Sequence, residues 1–97
     1  MKIMISQPMR GKTTEQIRKE RENLVKELEL KGHEVVDTIF AEECPKNCDT
    51  AIFYLAKSIE ILGKVDAVVF MQGWENTRGC RIEHDVATKY RKFIMEE

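Results

Sequence analysis

Charge of one sign, long apolar runs, proline and glycine are all scarce in this chain, and each scarcity excludes something. Sixteen Lys and Arg offset 17 Asp and Glu to a formal charge of -1, with the signs interspersed. No uniform field exists to hold a polyanion, so a nucleic-acid polymer is not an expected partner. The first apolar run, Ile3 to Ile5, is too short for a signal-peptide core, and none approaches the ~20 residues of a membrane span. A cytoplasmic protein with no membrane partner is expected. Two prolines and five glycines leave no proline-rich or glycine-rich segment, and there is no repeat, so long disorder is not expected either.

The three cysteines, Cys44, Cys48 and Cys80, cannot all pair within one chain, and a cytoplasmic setting keeps thiols reduced. Zinc is the sharper alternative, because Cys44-x3-Cys48 and Cys80-x3-His84 offer four ligands of the right type. Neither half has the Cys-x2-Cys knuckle usual in structural sites, so no metal and no cofactor is expected.

What is present is an ordinary globular balance, 42% apolar and 34% charged over 97 residues, which fits one domain spanning 1–97. A chain of this size buries roughly 60–70% of its unfolded surface, enough for one core. Lys2 to Ser6 reads as a strand, broken by Gln7-Pro8-Met9-Arg10-Gly11. Thr13 with Gln16 three residues on is a capping-box signature, and Ile17, Leu24, Val25 and Leu28 recur at helical spacing until Gly32. Glu22–Lys26 and Glu27–Lys31 support the outer face of that helix. His33 to Phe40 reads as a second strand, Ala41 to Asp49 as a loop, and Thr50 to Leu62 as a second helix ended by Gly63.

Ile52, Leu55, Ala56, Ile59 and Leu62 form the apolar stripe of that second helix, with Phe53, Tyr54 and Ile61 lying off it. Such a surplus fits either a helix wedged between neighbours or a subunit contact. Val65 to Met71 is a near-continuous apolar strand of the kind buried on both faces, followed by a loop over 72–78. Gly79 to Tyr90 reads as a third helix and Lys92 to Met95 as a short last strand. This alternation predicts an α/β fold with a small parallel sheet of about four strands, right-handed crossovers and flanking helices. Loops 7–12 and 72–78 both follow strands, so they share the edge where such folds bind ligands.

The stretch Gly-Trp-Glu-Asn-Thr-Arg-Gly-Cys-Arg-Ile-Glu-His at 73 to 84 carries the chemistry. Side chains on a helix lean toward its N-terminus, so Glu83 can point back at the strand ends, where the helix dipole favours an ionised carboxylate. That suits a nucleophile or a ligand for sugar hydroxyls; the plainer reading is a helix-stabilising surface charge. Thr77 and Gly79 resemble an anion seat, although Thr77 can equally be an N-cap. Arg10, Gly11 and Lys12 add positive charge and open backbone across the cleft, but Gly-Lys-Thr at 11 to 13 lacks the earlier glycine of a Walker motif. Trp74 needs cover, from its own core or from a flat ligand such as a nucleobase. His84 and Asp85, adjacent on a helix, cannot form a simple relay, and His33 reads as a surface residue.

With these residues assembled, the chain resembles the nucleoside 2-deoxyribosyltransferase-like superfamily, which includes deoxynucleoside 5′-monophosphate N-glycosidases and pyrimidine nucleotide hydrolases. It looks closest to the short bacterial and phage members. The motifs are Ile-Met-Ile-Ser-Gln-Pro-Met-Arg-Gly-Lys at 3 to 12, Tyr-Leu-Ala-Lys-Ser-Ile-Glu-Ile-Leu at 54 to 62, Val-Asp-Ala-Val-Val-Phe at 65 to 70 and, most specific, the 73 to 84 stretch. The resemblance implies that Glu83 attacks the anomeric carbon, that the base departs, and that water or another base resolves a glycosyl-enzyme. It also implies a three-layer, Rossmann-like or flavodoxin-like fold in which Pro8, Arg10, Thr77 and Gly79 lie around a 5′-phosphate or 5′-hydroxyl. Ser6, Gln7 and Gly11, at the same strand end, and Trp74 are the further candidate substrate-binding residues. The expected partner is a small nucleotide or nucleoside, and a homodimer or higher homo-oligomer follows.

Met4 stands where many relatives carry tyrosine, and Gln7 where their loop has glycine. The catalytic relatives also place an aspartate eight residues before the position of Asp66, and this chain has Ser58 there. Losing a proton-transfer partner costs ~10²–10⁴ in rate. A non-catalytic nucleotide binder that sequesters a small nucleotide signal is therefore the alternative expectation.

Overall fold

The computed structural model describes residues 1–40 and 42–96, residue 96 by its backbone. Its strands are β1 (Lys2–Ser6), β2 (Glu34–Val36), β3 (Ala67–Phe70) and β4 (Phe93–Glu96), and its helices α1 (Thr14–Leu30), α2 (Thr50–Leu62) and α3 (Arg78–Lys89). The strands form one all-parallel sheet in the order β2-β1-β3-β4. Helices on both of its faces complete a three-layer, Rossmann-like or flavodoxin-like fold.

Strand alternation decides which helix covers what. Ile3 and Ile5, with Ala67 and Val69, face α1, which meets them with Leu24, Val25 and Leu28. Met4, with Val68 and Phe70, faces the other way onto Leu62 of α2 and Ala87 of α3. Parallel crossovers of one hand require this division: the step from β1 to β2 runs opposite to the steps through β3 to β4, so its helix must lie on the opposite face.

Local signals set the helix ends. The Thr13 side chain accepts the Gln16 amide while the Gln16 side chain accepts the Thr13 amide, the reciprocal capping box expected there. Asp49 caps α2 through the Ile52 amide, at 3.0 Å. Both anticipated ion pairs form on the outer face of α1, Lys26–Glu22 at 3.1 Å and Lys31–Glu27 at 3.3 Å.

Three expectations need correction. β2 stops at Val36 rather than running to Phe40, because the Asp37 carboxylate takes the Ile39 amide at 2.8 Å and turns the chain, while Thr38 points inward to the Ile5 carbonyl. β3 is confined to Ala67–Phe70, although Asp66 and Met71 continue its ladder by donating to the carbonyls of Lys2 and Ser6. The stripe of α2 is not wholly a core face: Ile52 is 64% exposed and Ala56 is exposed too, whereas the off-stripe Ile61 packs on the core with Ile59 and Leu62. Helix α2 runs ~20 Å at 1.5 Å per residue, longer than the ~13–17 Å strands it covers, so one end must overhang. The core contacts Ile59, Ile61 and Leu62 lie at the C-terminal end and exposed Ile52 near the start. The uncovered end is therefore the N-terminal one, which in a βαβ unit lies at the carboxyl edge of the sheet.

Part of the overhang finds cover nearby. Tyr54 donates its hydroxyl to the Glu42 carbonyl at 2.9 Å, and Lys57 pairs with the Glu42 carboxylate at 2.8 Å while lying over the Phe53 ring. No helix among the described residues is long and apolar enough to cross a membrane.

Candidate functional site

β1 and β3 are neighbours whose chains depart in opposite directions, the first toward β2 and the second toward β4. Ser6 and Phe70 end them side by side. A parallel sheet opens a crevice at such a reversal, beyond the carboxyl ends of the strands. The two loops expected to share this edge do meet there: a Cβ built on Gly73 would come within 3.8 Å of the Pro8 ring.

Backbone chemistry shapes both loops. Lys12 donates to the Met9 carbonyl at 3.1 Å, closing a turn whose third residue, Gly11, has φ +79. Glycine adopts that angle without strain, and the turn carries exposed Arg10 at its apex. Gly73, at φ +92, likewise starts a single 3-10 turn over Trp74–Asn76 that delivers the chain to α3. Thr77 holds the N-cap position of α3, yet its side chain makes no capping hydrogen bond. Thr77 thus leaves the first amides of α3 uncapped by its side chain, and a Cβ at Gly79 would meet nothing within 4 Å among the described residues.

From α3, Glu83 reaches the last residue of β1. It is only 8% exposed, and its Oε2 accepts the hydroxyl of Ser6 at 3.0 Å, across 77 residues of sequence. Burial pushes this carboxyl up from 4.5 to about 7, while the Ser6 hydrogen bond pulls the other way. The ionised carboxylate expected from the helix dipole is therefore corrected to a group half-titrated near neutrality. Glu83 is the sixth residue of α3, beyond the first-turn amides where the dipole acts, so desolvation prevails. Cys80, one turn earlier and 3% exposed, is the buried neighbour of this pair on α3. Its thiol is pushed up by burial first, with the neighbouring Glu83 charge adding to that and Ser6 opposing it.

Aromatic groups line one side. The Trp74 and His84 rings stack at 4.1 Å and 14°, and the Phe70 ring meets His84 edge-on at 4.8 Å. Trp74 also packs against the core cluster of Met4, Val68 and Phe70. Its cover thus comes from its own domain, one ring face being taken by His84.

A model of DUF4406, a domain of unknown function, matches residues 1–96. The chain belongs to the DUF4406 family. No curated protein matches it. Because the family description assigns no chemistry, the function of this DUF4406 domain rests on its site.

That site joins Ser6 to Glu83 with Cys80 one helical turn away; Pro8 and Gly73 meet at the same edge, and Thr77 and Gly79 begin the helix that carries Glu83. Gln7 is not among them by its side chain, which turns to the α1 face: its Oε1 accepts from Arg21 at 2.8 Å and its Nε2 donates to the Ile17 carbonyl at 3.0 Å. Asp66 accepts the Lys2 amide at 2.8 Å, a structural role that ties β3 to the start of β1. Ser58 is half-buried on α2. The zinc alternative gains nothing, since no three His, Cys, Asp or Glu side chains are grouped for a metal ion among the described residues.

Sequence reasoning missed two participants in the DUF4406 domain. Cys80 counted only as a zinc ligand, although its place one helical turn before Glu83 marks it as a neighbour of the carboxyl. Arg21 was passed over, yet it falls on the stripe of Ile17, Leu24, Val25 and Leu28, where a charge is out of place and so informative.

Proposed function

We propose that this protein is a nucleotide-binding N-glycosidase or deoxyribosyltransferase-like protein, acting on the N-glycosidic bond of a (deoxy)nucleoside monophosphate with Glu83 as nucleophile. The observation that carries this reading is the buried Glu83 carboxyl, tethered by Ser6, at the switch point of the sheet. Its resemblance to the nucleoside 2-deoxyribosyltransferase-like superfamily supplies the reaction class.

In this scheme the ionised carboxylate keeps Oε2 on the Ser6 hydroxyl and attacks through Oε1. A bond forms between Oε1 and the anomeric carbon, the C–N bond breaks, and its electron pair leaves with the base, which takes a proton from solvent. Water, or a second base, then attacks the anomeric carbon and gives its proton to solvent, while the Oε1–carbon bond breaks and returns the carboxylate. Arg10, the Thr77 hydroxyl and the open backbone at Gly79 would receive the 5′-phosphate. The exposed overhang of α2 at this same edge supports assembly into a dimer or larger homo-oligomer, with the site beside the interface.

A second reading is favoured by Ser58, whose hydroxyl cannot supply a proton as an aspartic acid would: the protein binds a nucleotide and leaves it intact. One experiment separates the two. Purified protein is incubated with deoxy- and ribonucleoside monophosphates and with cyclic and ADP-ribose-type nucleotides, and both supernatant and denatured protein are chromatographed. Release of free base, abolished in Glu83→Gln, is the expected result. Intact nucleotide recovered only from the denatured protein would establish the binder instead, and full turnover by Glu83→Gln would remove Glu83 from the role.

A further inference from the structure

On the face of the sheet opposite Glu83 lies a buried cation that the proposed chemistry does not use. Arg21 of α1 is 5% exposed. Its Nε donates to Gln7 Oε1 at 2.8 Å, its Nη2 to Thr38 Oγ1 at 3.3 Å, and its Nη1 lies 3.9 Å from the Asp37 carboxylate. Gln7 and Thr38 are buried as deeply, and each carries the link onward, Gln7 to the Ile17 carbonyl and Thr38 to the Ile5 carbonyl. A guanidinium is costly to bury without good partners, and these partners come from the end of β1 and from the chain just past β2.

What those partners hold is the end of β1. Pro8 follows and has no amide to extend the ladder, so the last paired residue, Ser6, sits beside a loop. Ser6 and Gln7 are successive, and their side chains leave on opposite faces: Ser6 to Glu83, Gln7 to Arg21. Fixing the Gln7 side chain therefore fixes the peptide that aims the Ser6 hydroxyl.

We propose that Arg21, acting through Gln7, is a positioning residue that locks the end of β1 so that the Ser6 hydroxyl stays on Glu83 across the sheet. The catalytic use of that carboxylate rests on the function proposed above; the positioning does not, and it is readable without any ligand. Cys80 is the titratable neighbour facing Glu83 from α3, while Ser6 faces it from β1. Arg21 and Asp37 lie beyond the sheet.

The test is a titration of the Glu83 carboxyl carbon by NMR in the ligand-free, full-length protein. Ser6→Ala removes a donor to the ionised form and is expected to raise the midpoint from about 7 by about one pH unit. Gln7→Leu, which leaves the cation in place, and Arg21→Met should each raise it by roughly half as much or more, and neither should add to Ser6→Ala when combined with it. That non-additivity separates positioning from a direct field of the Arg21 charge, which would persist without Ser6. An unmoved midpoint in a folded Gln7→Leu or Arg21→Met protein overturns the proposal, as does full additivity. Failure of both variants to fold overturns it too, because the network would then be a requirement of the fold alone. Base release is assayed separately, so a shifted midpoint without turnover keeps the positioning and discards the glycosidase.

Discussion

Replacing Glu83 by Gln should stabilise the protein, and by an amount that depends on pH in a defined way. Burial raises the carboxyl from 4.5 to about 7, so between those values the folded chain keeps a proton that the unfolded chain has released. Protonation at Glu83 thus favours the fold fully below about 4.5, progressively less as pH rises, and not at all once pH exceeds about 7. The span of about 2.5 pH units corresponds to about 3 kcal/mol at about 1.4 kcal/mol per unit. Gln has the same shape, still accepts the Ser6 hydroxyl and cannot ionise. Urea unfolding of both proteins from pH 4.5 to 8 reads the difference directly: the variant should gain on the wild type across that range by up to about 3 kcal/mol, a midpoint change of roughly 1–3 M. Because every other titrating group is common to the two proteins, it cancels. A difference that stays flat over the range would mean that Glu83 titrates alike in both states, and the buried-carboxyl account of the site would be wrong.

Other consequences are simpler to read. If Glu83 attacks as a carboxylate, base release should rise with pH about a midpoint near 7, and Ser6→Ala should move that limb upward; a pH-independent rate from 5 to 8 contradicts this. Thiol titration with an aromatic disulfide should find two fast cysteines, exposed Cys48 and half-buried Cys44, and a third, buried Cys80, that reacts only on unfolding; three equal rates would place Cys80 at the surface. Trp74, the sole tryptophan, has one face on His84. Its emission should change when a nucleoside monophosphate binds and stay constant with ribose 5-phosphate, and equal responses to the two would exclude base stacking at Trp74.

Where a signal is local, the sequence carried it. The capping box at Thr13, the Asp49 start and Gly63 end of α2, and the run of α/β alternation all depend on residues within a few positions of one another, and each is found where expected. The end of β2 was hidden because His33 to Phe40 has β-forming composition throughout; what stops it is the Asp37 side chain bonding the Ile39 amide and the pull of Arg21 on Thr38, a contact between residues far apart in the chain. Likewise the stripe of α2 has helical periodicity along its whole length, while burial depends on how much strand lies beneath it. Periodicity reports which face is apolar and says nothing of where the sheet ends.

The site divides along the same line. The placement of Thr77, Gly79 and Glu83 on the first two turns of one helix, and of Pro8 on the loop after the neighbouring strand, was legible from local pattern. The charge state of Glu83 was not, because a dipole can be read from helix position whereas desolvation depends on the walls that Ser6, Cys80 and the sheet supply. That difference bears on function. A carboxyl attacks carbon only when ionised and gives up a proton only when neutral, so one carboxyl cannot do both in the same step. An active site built on Glu83 alone should show one rising limb in its pH profile. A bell shape would instead reveal a second titrating group on the leaving base, and His84, stacked on Trp74 at the side of the crevice, would be the residue to replace next.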